Sequence, residues 1–307
     1  MVHQEASSVF ATVGSLAHTI TSFTDATNAT WPYITMPDFE VHGGDAVKTE
    51  PVLSVTFSPL VFELHRNPYE VYTTYNQDWL ADGILYSTGS APPEDLNSIP
   101  SKIYRVEPGP NGEGMVPRVE DSAGPFLPRW QTAPAPLNPR EINFNMFSRK
   151  AYANVFHDMQ AHRGAVFSQV VPLQDLTGLE QPTEPLDHPH SIIMTPVWDK
   201  LAQDTAPLVG AVSAILDWSS FFSLFLSVET EPIVLVMEGT CGDVLSFSIR
   251  GHHVEFLGYS DTHNTHYNHM GQSFFLHSGL QEGQDIDECD YEIFIYPTKE
   301  FEYTHVT

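Results

Sequence analysis

Residues 141–173 read EINFNMFSRKAYANVFHDMQAHRGAVFSQVVPL, residues 190–198 HSIIMTPVW and residues 207–218 PLVGAVSAILDW. A helix with a polar start leads into an apolar strand, a second strand ends in Pro-Val-Trp, and a third opens with Leu-Val-Gly. The polar DKLAQDTAP of residues 199–207 joins the last two, which therefore read as neighbouring antiparallel strands.

Toward the C-terminus, residues 218–228 read as a short amphipathic helix. PIVLVMEGT and VLSFSIRG then form a hairpin turning at Gly239 to Asp243, and CDYEIFIYP, residues 289–297, returns as an edge strand. Toward the N-terminus, Val9, Val13, Leu16, Ile20 and Phe23 recur at helical spacing, so residues 1–30 form a helix. WPYITMPDFEVHGGDAV is expected to be extended with a turn at Gly43-Gly44, and VLSVTFSPLVF alternates as a strand. Tyr69, Tyr72, Tyr75 and Trp79 then line one helix as an aromatic stripe facing the core. Residues 87–140 are rich in Pro and Gly and form a long loop region with short strands such as residues 102–106, of the kind that lines or covers a site. LQDLTGLEQPTEPLDHPH at residues 173–190 is a second such interruption.

With 307 residues and 41% hydrophobic content, the chain has ample material for a core of one large or two coupled modules. Its 39 Asp and Glu against 13 Lys and Arg, a net charge of −26, repel phosphate backbones and anionic lipid, which excludes direct nucleic-acid binding and favours a well-solvated surface. No apolar run is long enough to span a bilayer, and no basic segment followed by an apolar one opens the chain, so it reads as an excised soluble region. Two cysteines, Cys241 and Cys289, and the sequon Asn28-Ala29-Thr30 fit an oxidising compartment. Both cysteines adjoin strands of one expected sheet, which favours a disulfide over the alternative of two buried thiols.

The order of helix and strands over residues 141–218 resembles a PAS-like half-domain, and specifically the CHASE domain, the extracytoplasmic sensor of cytokinin-receptor kinases and membrane nucleotide cyclases. FNMFSRKAYANVFHDMQAHRGAVFSQVVP resembles the cytokinin-receptor stretch, with Met146 and Ser148 matching outright. Two positions that face the ligand in that family carry Asn145 and Ser168 here. The resemblance thus implies a pocket lined by Asn145 and Ser168, with Trp130 of the Pro-rich loop as an apolar wall. It also argues against a cytokinin, because the acid that reads adenine is replaced by a neutral amide.

The C-terminal half resembles the ectodomains of receptor-type guanylate and adenylate cyclases from diatom-like algae. It does so through PLVGAVSAILDWSSFFSLFL, the Glu238 to Gly242 turn, SDTHNTHYN and the late Cys289. MPDFEVHGGDA and YNQDWL extend the likeness over residues 33–305. The resemblance implies an α+β fold: a long N-terminal signalling helix over residues 1–35, then two PAS-like lobes of the double Cache or CHASE-like kind with antiparallel sheets. A membrane-distal ligand-binding lobe spans residues 36–190 and a membrane-proximal lobe residues 191–307. The function implied is that of an extracellular ligand-sensing domain of a membrane receptor. It takes a small molecule and no cofactor, forms a homodimer in the full-length receptor, meets the membrane only through flanking segments, and controls a cyclase absent from this chain.

Two alternatives accompany this reading, a secreted small-molecule-binding protein and a metal-dependent enzyme. The latter would use His263, His266 and His269, which recur at three-residue spacing near His252, His253 and Asp261. The Asn, Thr and Asp among them favour a solvated loop without metal. The acids of EGQDIDECDYE likewise read as a solvated turn, out of register for a calcium loop. No nucleophile elbow, phosphate-binding loop or dinucleotide fingerprint is present, so no catalytic residues are expected.

Overall fold

The computed structural model describes residues 2–91, 99–109, 115–136, 138–173, 176, 188–201, 206–224, 232–276 and 290–301. In chain order it contains α1 (Val2–Thr27), α2 (Phe39–Thr49), β1 (Val52–Pro59), α3 (Glu63–Tyr75), α4 (Asp78–Thr88), β2 (Tyr104–Pro108), β3 (Met115–Val119) and β4 (Gln131–Ala133). There follow α5 (Lys150–His162), β5 (Val166–Phe167), β6 (Val171–Pro172), β7 (Pro189–Trp198), β8 (Leu208–Asp217) and α6 (Trp218–Leu224). The chain continues through β9 (Ile233–Gly239), β10 (Val244–Arg250), β11 (His253–Gly258), β12 (Gln272–Leu276) and β13 (Tyr291–Pro297). The architecture is α+β, and every pairing between these strands is antiparallel.

The first sheet runs β4-β1-β8-β7-β5, with β6 also on β7, and both of its faces are covered. Because side chains alternate across a strand, Ile193 and Val197 of β7 enter the cluster built on α1, while Ile192 and Met194 enter the one built on α5. That two-sided burial explains why β7 and β8 are almost continuously apolar. On α1, Val9, Val13, Leu16 and Ile20 are buried as one stripe. Each contributes about 1.5–3 kcal/mol, which outweighs the modest helix propensity of its Thr- and Ser-rich sequence.

The second sheet runs β11-β10-β9-β13-β12 and buries one face, through Leu235, Met237, Phe247, Tyr291 and Ile293, in the same core cluster as α1. Its other face is half-open, and β11 alternates exposed and half-buried residues. Trp218, fully buried at the start of α6, joins the sheets. Its ring lies 6.1 Å from Phe167 and 5.3 Å from Tyr291, and its indole N–H donates to Ser191 Oγ at 3.0 Å. The Tyr291 hydroxyl in turn donates to the Ser168 carbonyl at 3.1 Å.

Several expectations change. Residues 39–49 are helical through Gly43-Gly44, where a turn was expected. A Cβ on Gly43 would lie 2.7 Å from Ala133 Cβ and one on Gly44 2.8 Å from the Tyr86 ring, so the glycines let α2 press against β4 and α4. The aromatic stripe is divided between α3 and α4. The chain breaks at Asn76, whose amide donates to the Tyr72 carbonyl, and Tyr75 is 80% exposed while Tyr69 and Trp79 are buried. β13 is interior because β12 pairs on its far side. β7 and β8 hydrogen-bond into the first sheet, so the division between sheets falls at α6 and not at residue 191.

Candidate functional site

The hairpin β2–β3 and helix α3 surround a set of withdrawn carboxylates. Glu70 is 2% exposed on the inner face of α3. Its Oε1 accepts from Arg66 Nε at 3.2 Å and the Ile103 N–H at 3.1 Å, and its Oε2 accepts from Lys102 Nζ at 2.6 Å. Glu120 accepts from Arg105, from Asn145 Nδ2 at 2.8 Å, and from the N–H groups of Asp121 and Ser122. Burial alone would raise its pKa, but the hydrogen bonds from Asn145, Ser122 and Arg105 outweigh that and hold it below the usual range. Deeper in, Arg129 pairs with Glu141 at 2.9 Å, and both are buried. Each of these carboxylates is met by cations or donors, which suits a scaffold and not a proton-transfer group.

The three expected ligand residues are placed as follows. Asn145 is buried beside Phe144 and Met146 of the α5-side cluster. Its Oδ1 accepts from the Leu127 N–H at 3.1 Å while its Nδ2 serves Glu120, so the amide ties two loops together. Ser168 Oγ accepts from the Ile192 N–H at 2.8 Å and donates to the Gln169 carbonyl at 2.6 Å. Trp130 belongs to the α1-side cluster, against Tyr69, Tyr72 and Trp79, and its indole N–H donates to the Ile34 carbonyl at 2.8 Å. Among the described residues the three therefore take different partners, and the polar atoms of each are engaged by the protein. Ser168 does line a pocket of about 250 Å³ between α5 and the turn after β9, together with Ala151, Asn154, Val155, Asp158 and Cys241.

Cys241 is disulfide-bonded, and Cys289 lies outside the described residues, as does most of the acidic EGQDIDECDYE stretch. His263 stacks on Tyr296 with ring centroids 3.9 Å apart, its Nδ1 facing Asp261 Oδ1 and its Nε2 facing Asn268 Oδ1 at 2.7 Å. Burial against Tyr296 acts to lower its pKa, but the hydrogen bonds to Asn268 and Asp261 and the charges of Asp261 and Glu238 raise it overall. His266 and His269 are exposed on the 3-10 turn Thr265–Met270, with rings 6.4 Å apart. Among the described residues no group of three His, Cys, Asp or Glu is placed to hold a metal ion, and no helix is long and apolar enough to cross a membrane.

Sequence reasoning missed Glu70, Glu120 and Arg105 as a network. The signal that was available is the alternation of acids and bases in RVEP and PRVED inside a stretch otherwise rich in Pro and Gly. No protein-family model matches the chain, and comparison with curated proteins finds no relative.

Proposed function

We propose that this chain is the ligand-sensing region of a membrane receptor, extracellular and built of two PAS-like lobes strung on one N-terminal helix. The observation that carries the reading is the strand order of the first sheet. Its path strands, taken in chain order as 1 to 5, lie side by side as 2-1-5-4-3, the order of a PAS-like sheet. The second sheet lies as 3-2-1-5-4, keeping the central 2-1-5-4 run and moving its third strand to the opposite edge. Helix α1 contacts β7 and β8 of the first sheet and β12 of the second, which lets one element feel a shift in either.

On this reading a small polar molecule enters the groove between α5 and the Cys241 turn, where the exposed side chains of Asn154 and Gln169 offer hydrogen-bonding groups. Ligand that packs α5 differently against this turn alters the junction at Trp218 and Tyr291, and through α1 the dimer state of an intracellular guanylate or adenylate cyclase. A secreted binding protein is the alternative with the same groove.

The test is the full-length gene product expressed in cells. Membrane spans on both sides of this region, and its cleavage by protease added outside intact cells, are expected. A product released entirely into the medium would replace the receptor with the secreted protein. Protection from protease until the cells are lysed would overturn the extracellular placement.

A further inference from the structure

A pocket of about 330 Å³ lies against the hairpin β2–β3, and the charged residues lining it are Lys102, Arg118 and Arg140, with no carboxylate among them. In a chain with 39 acids and 13 bases this local balance is inverted. Lys102 is neutralised by Glu70 at 2.6 Å. The side chains of Arg118 and Arg140 have no ion pair or hydrogen bond among the described residues, although both are exposed on an acidic protein.

Strand pairing adds a second observation. Arg118 stands directly opposite Arg105, and like charges across a strand pair are destabilising. Arg105 is met by Glu107, Glu120 and Asp121, whereas Arg118 forms no ion pair with any of these carboxylates. The backbone of Arg140 is fixed by its surroundings. The buried Tyr104 hydroxyl donates to its carbonyl, and its own N–H donates to Asn138 Oδ1 at 3.1 Å. Pro100, Tyr104 and Pro117 supply stiff apolar walls.

We propose that this pocket binds a small organic anion, a carboxylate or phosphate carried on a compact apolar body, with Arg118 and Arg140 as its charged contacts. The pocket lies at the lower end of the size range of small-molecule sites, which suits a body of one ring. Guanidinium groups match both anions through paired N–H donors, and the net charge of −26 disfavours anion binding elsewhere on the surface. The proposal goes beyond the receptor reading and stands whether or not the chain is part of a receptor.

Calorimetric titration at low and at raised ionic strength, with benzoate, phenyl phosphate, inorganic phosphate and neutral benzyl alcohol as probes, tests it. At least one aryl anion is expected to saturate a single site while benzyl alcohol does not. Salt should weaken the binding, and Arg118→Gln and Arg140→Gln should each weaken it about tenfold, the equivalent of one charged hydrogen bond. Phenyl phosphate and inorganic phosphate binding without benzoate identifies a phosphate site, and benzoate without inorganic phosphate a carboxylate site. Absence of saturable binding by all three anions, or binding untouched in both folded variants, would overturn the proposal.

Discussion

Around the first sheet, Glu70, Glu120 and Glu141 are each withdrawn from water, and each meets a basic side chain. Around the second sheet the described ion pairs, Arg250–Glu300 and His263–Asp261, lie at its margins, and the covalent tie is the disulfide at Cys241. The contrast follows from burial. A sheet covered on both faces has a low-dielectric interior, where a charge is tolerated only with a partner in place. A sheet covered on one face keeps its charges in water, where pairing contributes little, and gains instead from a cross-link that restricts the unfolded chain. The two regions should therefore respond to different perturbations.

The largest effect is expected at the deepest pair. Glu141→Ala leaves Arg129 charged and buried, and should lower the unfolding free energy by about 3–5 kcal/mol in urea titration. A loss below about 1 kcal/mol would mean that Arg129 reaches water and that the contrast between the sheets is overstated. Next comes Cys241→Ser, which should cost about 2–4 kcal/mol. Hydrogen exchange should locate the loss in β9, β10 and β13 before the first sheet. Uniform loss across both sheets would show that the shared core, and not the cross-link, sets the stability of the second.

Asn145→Leu sharpens the comparison within the first sheet. It strands the Leu127 N–H and one Glu120 oxygen, so about 1–3 kcal/mol of stability should be lost in thermal unfolding. A neutral result would return Asn145 to the role of a pocket residue with no structural duty. The smallest effect is a pH dependence in the second sheet. The His263 pKa is raised in the folded protein, so its stabilisation is complete below the unfolded value and is lost as pH rises through the folded one. The advantage of the parent protein over His263→Gln in Tm should shrink from about pH 5 to about pH 8. An advantage that grows over that range would reverse the assigned role of Asp261 and Asn268.

Much of the fold was legible. The helix at residues 150–162, the antiparallel pair β7–β8, the β9–β10 hairpin and the stripe of α1 all follow from apolar spacing within a single segment. The candidate site was less so. Asn145 and Ser168 were singled out from a resemblance, and in the structure Asn145 serves Glu120 while Ser168 serves Ile192 and lines a pocket. The strand QSFFL, too short and too mixed to announce itself between histidine-rich and acidic stretches, went unread and with it the interior position of β13.

What the sequence by itself determined is the set of surfaces: which residues of α1, α5, β7 and β8 are apolar and on which side of each element they fall. That information is local, because a period of 3.6 or of 2 is written into a dozen consecutive residues. Only the tertiary structure decided what each surface meets. Gly43 and Gly44 let α2 pack closely on Ala133 and Tyr86, β8 joins β1 across about 150 residues of chain, and Glu70 finds Lys102 from another segment. Periodicity states that a group is buried; the partner that makes burial tolerable comes from distant chain, and only packing selects it.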